Sequence, residues 1–132
     1  MKTTEISVRT GERYEFVSLT DEVRRAVRET GVEEGVCVVC STHTTAAVTV
    51  NEDYDRDVAR DLTAACKALV GSLAVRFVHA EGNSDSHLLT SLFGQSQQLL
   101  VSGGELVLGR WQGVFLAEFD GPRDRTVRVA VY

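Results

Sequence analysis

Five consecutive apolar residues, Val36-Cys37-Val38-Val39-Cys40, follow Gly35 and run into Ser41-Thr42-His43-Thr44-Thr45. A run this short and this rich in β-branched valine is too brief for an ordinary helix and reads as a strand covered on both faces. The chain must therefore build a sheet with an interior strand, and Ser41–Thr45 sits where that strand ends. A second strand follows through Ala46, Val48 and Val50.

The flanking segments supply what such a strand pairs with and packs against. Thr4–Thr10 and Glu12–Leu19 alternate around Gly11, with Ile6 and Val8 in one and Tyr14 and Phe16 in the other, and so predict a first hairpin. Thr20 is placed to cap a helix over Asp21–Thr30, with Val23, Ala26 and Val27 as its apolar stripe and Gly31 just past its end. A longer helix is expected from Asp53 or Tyr54 to about Val70, followed by Gly71. After a polar loop over Val78–Ser86, Leu88, Leu89, Leu92 and Phe93 predict a short helix ended by Gly94 and capped by Ser84 or Asp85. The remainder reads as β: Gln97–Val101, a Gly103-Gly104 turn, Glu105–Leu108, Trp111–Phe119, a turn over 120–123, and Thr126–Tyr132. About eight strands and three helices, many strands being sequential, define an α+β fold on mainly antiparallel sheet, with residues 1–132 forming one domain.

Composition narrows the function. Fourteen Lys and Arg stand against nineteen Asp and Glu, a net charge of −5 with the signs interspersed, so no basic stripe is present to neutralise nucleic acid or an anionic membrane. No apolar run approaches the ~20 residues of a membrane span, and the polar start Met1-Lys2-Thr3-Thr4-Glu5 lacks a signal-peptide core, which predicts a cytoplasmic protein. Cys37, Cys40 and Cys66 cannot all pair within one chain, and buried reduced thiols fit that compartment.

The three histidines, His43, His79 and His87, fall at predicted element ends among Ser, Thr, Asn and Asp. Neutral imidazoles are good nitrogen donors to a divalent metal, and three of them leave a fourth tetrahedral position open, as in catalytic zinc sites. Spacing alone neither proves nor excludes this, because unrelated loop histidines have the same spacing. Glu52, at the end of the strand after His43, is a candidate general base if it points into the same cleft, and otherwise a helix cap. In Trp111–Phe119, period two sets Trp111, Gly113, Phe115, Ala117 and Phe119 on a core face. Gln112 and Glu118 then lie on a mixed face, where they meet solvent, buried partners, a cleft or an interface. Cys37-Val-Val-Cys40 is read as core, because its thiols point to opposite faces of a strand and no helix N-terminus follows to stabilise a thiolate. Thr44 and its neighbouring hydroxyls are available as hydrogen-bond donors to a phosphate.

Three ordered segments together resemble the YjbQ family. They are Ser41-Thr-His-Thr-Thr-Ala-Ala-Val-Thr-Val-Asn-Glu52; His79-x-x-x-Asn83-x-x-x-His87-Leu with Ser91-Leu-x-Gly94; and Leu108-Gly-x-Trp-Gln-Gly-Val-Phe-Leu-x-Glu-Phe-Asp-Gly-Pro-Arg123. The family is usually labelled secondary thiamine-phosphate synthase and long remained of unknown function. The resemblance implies a β-sandwich-like core and a homotrimer, with a metal such as zinc sometimes held at the positions of His43, His79 and His87. Its shared polar residues match Glu52, Asn83, Gln112 and Glu118. Asp85 and Gln95 depart from it, standing where a small residue or proline and a proline are common.

The expectation is a metal-binding enzyme of small-molecule metabolism. His43, His79 and His87 would be ligands, Glu52 and His43 the acid–base groups, and Asn83, Gln112, Glu118 and Thr44 the contacts to a small, phosphorylated ligand. Thiamine-phosphate synthesis would be a weak activity, since diphosphate departure calls for Mg²⁺ on carboxylates and the sequence shows no acidic Mg²⁺ motif. The alternative is a non-catalytic homotrimeric module that binds a metal or a phosphorylated ligand.

Overall fold

The computed structural model describes residues 1–132 and contains eight strands and three helices. In chain order they are β1 (Lys2–Arg9), β2 (Glu15–Ser18), α1 (Thr20–Thr30), β3 (Glu34–Ser41), β4 (Ala46–Glu52), α2 (Arg56–Gly71), α3 (Ser84–Phe93), β5 (Ser96–Ser102), β6 (Glu105–Leu106), β7 (Gln112–Glu118) and β8 (Asp124–Val131). Every strand pair is antiparallel, as the sequence indicates. One sheet has the order β1-β8-β3-β5-β6 and the other β2-β7-β4.

The two sheets face each other. Cys37, Val39, Val101, Val127, Val129 and Val131 on the larger sheet meet Ala46, Val48, Val114 and Leu116 on the smaller one, and Val23, Ala26 and Val27 of α1 join the same core. The opposite face of the smaller sheet carries Ala47, Ala117 and Phe119, which pack with Tyr14, Cys66 of α2 and Leu89 of α3. The smaller sheet is thus buried on both sides, and β7 is enclosed from Gly113 to Glu118. Both faces of β7 are interior, not only the face of Phe115 and Ala117.

Several local expectations change in detail. The two opening strands do not form a hairpin: β1 pairs with β8 and β2 with β7, so Gly11 marks the point where the chain crosses between sheets. Thr20 does not cap α1; its hydroxyl donates to Asp53 and accepts from the Val114 N–H. Gly31 does end α1, in the left-handed region at φ 70° that glycine enters without a Cβ penalty. α2 starts later than expected, at Arg56, where the Asp55 carboxylate accepts from the Asp57 N–H. β3 is an interior strand between β8 and β5, but only Cys37, Val39 and Ser41 are fully covered, whereas Val36, Val38 and Cys40 are half-buried on the outer face. No helix is long and apolar enough to cross a membrane. All three cysteines are free, and burial pushes the Cys37 thiol up to about 11 and the Cys66 thiol upward as well, as inert core thiols require.

Leu116 lies wholly between the two sheets. Replacing it with alanine is expected to cost about 2–5 kcal/mol, measured as a lower urea midpoint with an unchanged slope; a loss below ~1 kcal/mol would mean that this layer is not tightly packed.

Candidate functional site

The larger sheet passes to the smaller one through residues 42–45, between β3 and β4, and the smaller passes back through 119–123, between β7 and β8. The N-terminus of α3 docks against the same end of the sandwich, where the Ser86 hydroxyl donates to the Phe119 carbonyl. These three connections enclose a cleft of about 380 Å³ lined by Thr42, His43, Thr44, Thr45, Glu81, Asn83, His87, Asp120, Arg123 and Arg125, with no apolar residue among them. A second cleft, of about 520 Å³, shares His43, Thr44 and His87 and continues along Thr90, Ser91, Gly94 and Gln95.

A buried ion pair fixes the floor. Arg125 and Glu118 form a two-point contact at 2.6 and 2.9 Å, with side chains 4% and 0% exposed. The same guanidinium donates to the Thr45 hydroxyl at 2.8 Å, so the pair ties β7, β8 and the histidine loop into one unit. Ser41 sets the start of that loop: its hydroxyl donates to the Ala46 carbonyl and accepts from the His43 N–H. The imidazole of His43 is then held from β8, where the Thr126 N–H donates to Nε2 at 2.9 Å. Burial, and next the Arg125 charge, hold His43 below its ordinary value, so the neutral ring is favoured.

The second wall is organised through Asp120 and Asp85. The Asp120 carboxylate accepts from Asn83 Nδ2 at 2.9 Å and from Arg123 at 3.1 Å. Asp85 does not cap α3; it turns away to accept from both Arg13 and the Tyr14 hydroxyl, the latter at 2.5 Å. Burial and the neighbouring Asp85 carboxylate push the Tyr14 phenol upward, which keeps it a proton donor. This clamp places the first turn of α3, and with it His87. The His87 and His79 rings meet edge to face, 5.5 Å between centroids.

The structure therefore gathers His43, His79 and His87 at one end, with Thr44 and Asn83 beside them. It does not bring Glu52 or Gln112 there. These two pair with each other at the far end of β4 and β7, whereas Ala46 and Glu118 pair at the near end, six residues or roughly 20 Å away. Glu52 lines a separate cleft with Phe16, Ser18, Asp53 and Tyr54, and Gln112 accepts from the Gly109 N–H to close its own turn. Glu118 is at the right end but fully enclosed, so it reaches the cleft only through Arg125 and Thr45. Arg125, Asp120 and Thr126 escaped the sequence reading, and Thr45, read there as a hydroxyl available to a ligand, is instead bound by Arg125. The phase of β8 carried a signal for Arg125, which falls in step with inward Val127, Val129 and Val131 just as Glu118 falls in step with Val114 and Leu116.

The donor set fits a divalent metal in part. His79 and His87 supply two imidazoles in contact, but no three His, Cys, Asp or Glu side chains converge as a ligand group within the chain. Two polar atoms in these walls, Asn83 Oδ1 and Thr90 Oγ1, are buried without a partner in the chain, so a water, ion or ligand is needed to satisfy them. Two carboxylates, Glu81 and Asp120, and two guanidinium groups, Arg123 and Arg125, line the first cleft; Arg123 is paired with Asp120 and Arg125 with the enclosed Glu118, which leaves Glu81 as the carboxylate without an ion-pair partner. The fixed charges thus favour a cation over a bare anion.

Fold and site together define a small α+β protein whose two antiparallel sheets present a histidine-bearing polar cleft where they join. The chain belongs to the YjbQ/UPF0047 family: the model described as UPF0047 protein YjbQ-like matches residues 4–132. UPF0047 protein MJ1081 of Methanocaldococcus jannaschii is 40% identical over 124 residues, 94% of this chain and 89% of that protein. UPF0047 protein YugU of Bacillus subtilis is 38% identical over 121 residues, 92% of each. A crystal structure of an uncharacterised YjbQ/UPF0047 protein from Clostridium acetobutylicum superposes with a TM-score of 0.93 at 43% identity, over 98% of this chain and 99% of that one.

Removing one partner of the buried pair, as in Glu118→Ala, is expected to destabilise the protein by about 3–5 kcal/mol, with Glu118→Leu/Arg125→Met recovering most of that loss in urea unfolding. The depressed proton affinity of His43 also has a direction. Its contribution is complete above the ordinary imidazole value near 6.5 and is lost as pH falls toward the lower folded value, because the unfolded chain takes up the proton first. The urea midpoint of His43→Asn should therefore fall less between pH 7 and pH 5 than that of the wild type; equal slopes would mean that His43 titrates normally.

Proposed function

We propose that this chain is a metal-binding enzyme of small-molecule metabolism whose site is the polar cleft at His43, His79 and His87. The observation that carries the reading is the contact of the His79 and His87 rings beside clefts that His87 and His43 line, with no hydrophobic residue in either lining. Binding there must come from coordination, charge and hydrogen bonds, which suits a divalent ion of the zinc type with a small polar ligand. Such an ion supplies Lewis-acid polarisation of a substrate oxygen. The chain's own groups hold the ligand in place: Thr42 and Thr44 offer hydroxyls, and Glu81, a carboxylate on the cleft with no ion-pair partner and one long bond from Asn83 Nδ2 at 3.4 Å, can accept a proton.

Thiamine-phosphate synthesis is proposed only as a side activity. Its substrates are heteroaromatic and anionic, whereas no hydrophobic residue lines either cleft and both arginines on the first are already paired. Mg²⁺ with a diphosphate would turn to Glu81 and Asp120. Three free thiols suit a reducing compartment such as the cytoplasm.

We also propose that the chain works as a homotrimer. The outer face of the larger sheet leaves Val36 and Val38 half-covered beside exposed Leu100. The segment leading to His79 exposes Val75, Phe77 and Val78, and no N–H from Ala74 to Ala80 donates to a backbone carbonyl. A segment whose backbone N–H groups are unpaired in this way can add to an edge of another copy. Any role of Glu52 at the histidines rests on such assembly, since within one chain it lies too far away.

Untagged protein is expected to carry near-stoichiometric zinc-class metal by elemental mass spectrometry, lost in His79→Ala and His87→Ala. Background metal in wild type after full reconstitution would remove the reading. Light scattering should return three times the chain mass, and a monomer at micromolar concentration would refute the trimer. If a phosphorylated ligand raises the melting temperature of metal-loaded protein with no product over long incubation, the site binds without catalysis.

A further inference from the structure

The histidines of the cleft are not equivalent in how their nitrogens are used. Neutral imidazole has one N–H and one lone pair, and a metal takes the lone pair. In His43 the lone pair on Nε2 accepts the Thr126 N–H at 2.9 Å. The proton of the neutral ring must therefore sit on Nδ1. No group of the chain accepts from that nitrogen, yet it is not among the buried orphaned atoms, which are Arg24 Nε, Asn83 Oδ1 and Thr90 Oγ1. The ring is half-exposed and lines both clefts, together with Thr44 and His87.

We propose that His43 is a hydrogen-bond donor to a ligand oxygen, through Nδ1–H, and that metal coordination in this chain falls to His79 and His87 without it. The assignment deepens the metal-site reading by dividing roles within it. It also states the ligand chemistry: the part of the ligand at the junction of the two clefts is an oxygen acceptor of the phosphoryl or carboxylate type, set between the His43 N–H and the Thr44 hydroxyl.

Three features of the fold keep His43 in this role. Thr126 belongs to β8, whose register with β3 places Ser41 opposite Val127, so the N–H that meets Nε2 is part of the sheet framework. The Ser41 hydroxyl fixes the His43 backbone on the other side. Turning Nε2 toward a metal would leave the Thr126 N–H unpaired in a partly buried position, a cost the His79–His87 pair does not carry.

The test is long-range ¹H–¹⁵N correlation NMR of the full-length protein, with histidines assigned from His43→Asn, His79→Asn and His87→Asn, before and after addition of zinc and then of methyl phosphate. His43 is expected to be the Nδ1–H tautomer without metal. Zinc should shift the ring nitrogens of His79 and His87 while Nε2 of His43 keeps its hydrogen-bonded signature, and methyl phosphate should move the Nδ1 proton of His43 downfield. An Nε2–H tautomer, or zinc bound at a His43 nitrogen, overturns the proposal while sparing the metal reading. Zinc that moves none of the three rings removes the metal reading and leaves the donor to be judged by its tautomer. A Nδ1 proton unmoved by saturating phosphate overturns the ligand class. In calorimetry on zinc-loaded protein, His43→Asn, whose amide keeps a donor near the Nδ1 position, should bind methyl phosphate within about threefold of wild type, and His43→Phe about tenfold more weakly. Equal loss in both variants counts against the donor role.

Discussion

The enclosed pair of Glu118 and Arg125 holds the two sheets to a single relation at the end where the cleft forms. Glu118 lies on the smaller sheet and Arg125 on the larger, and the guanidinium also grips Thr45 in the loop that joins them. Hydrophobic packing between the sheets is non-directional and would tolerate a small slide of one layer over the other. A two-point guanidinium–carboxylate contact does not, because both bonds lose their geometry together. A close fit surrounds it: a Cβ on Gly121 would sit 2.2 Å from the Glu12 carbonyl oxygen and 2.8 Å from Glu118 Oε1. The residues that look least like a core are thus what orients the core at its functional end.

Helix α3 answers to a second polar anchor. Beside His87, the Asp85 carboxylate would by itself add negative charge to the site. The structure removes that charge from the cleft by giving it to Arg13 and Tyr14. Asp85 therefore serves to dock the helix, and the charge balance of the cleft is left to Glu81, Asp120 and the two arginines. Asn83 completes the arrangement: its amide nitrogen is committed to Asp120, so its carbonyl oxygen is left facing inward without a donor.

How far the sequence revealed this depended on whether a signal was periodic or pairwise. The interior strand at Val36–Cys40, the stripe of α1 and the glycine stops at Gly31 and Gly94 could be read because periodicity and turn chemistry act locally. The hairpin expected around Gly11 failed because alternation names the buried face of a strand but not its partner, and β1 and β2 found theirs more than a hundred residues or nearly so along the chain, in β8 and β7. Glu52 looked close to His43 because nine residues separate them in sequence, but most of those residues are extended strand, which carries the carboxylate to the opposite end of the sheet. His79 and His87 met because a loop and a helix start fold back on each other, which no spacing rule specifies. Glu118 and Arg125 were legible in principle: a charged residue in phase with an apolar strand face has to find its counter-charge inside.

A cleft walled only by polar side chains offers little hydrophobic gain to a ligand, and water already satisfies most of what it presents. Its arginines are neutralised by fixed partners, so even a phosphate meets no free charge. Selective binding then requires something that water replaces poorly, and two devices qualify. One is coordination at the adjacent imidazoles of His79 and His87. The other is a donor oriented in advance, and the Thr126 bond makes His43 such a donor by fixing its tautomer and its ring before any ligand arrives. The same physics that makes the cleft unattractive to most metabolites makes it selective for one that can use both devices at once.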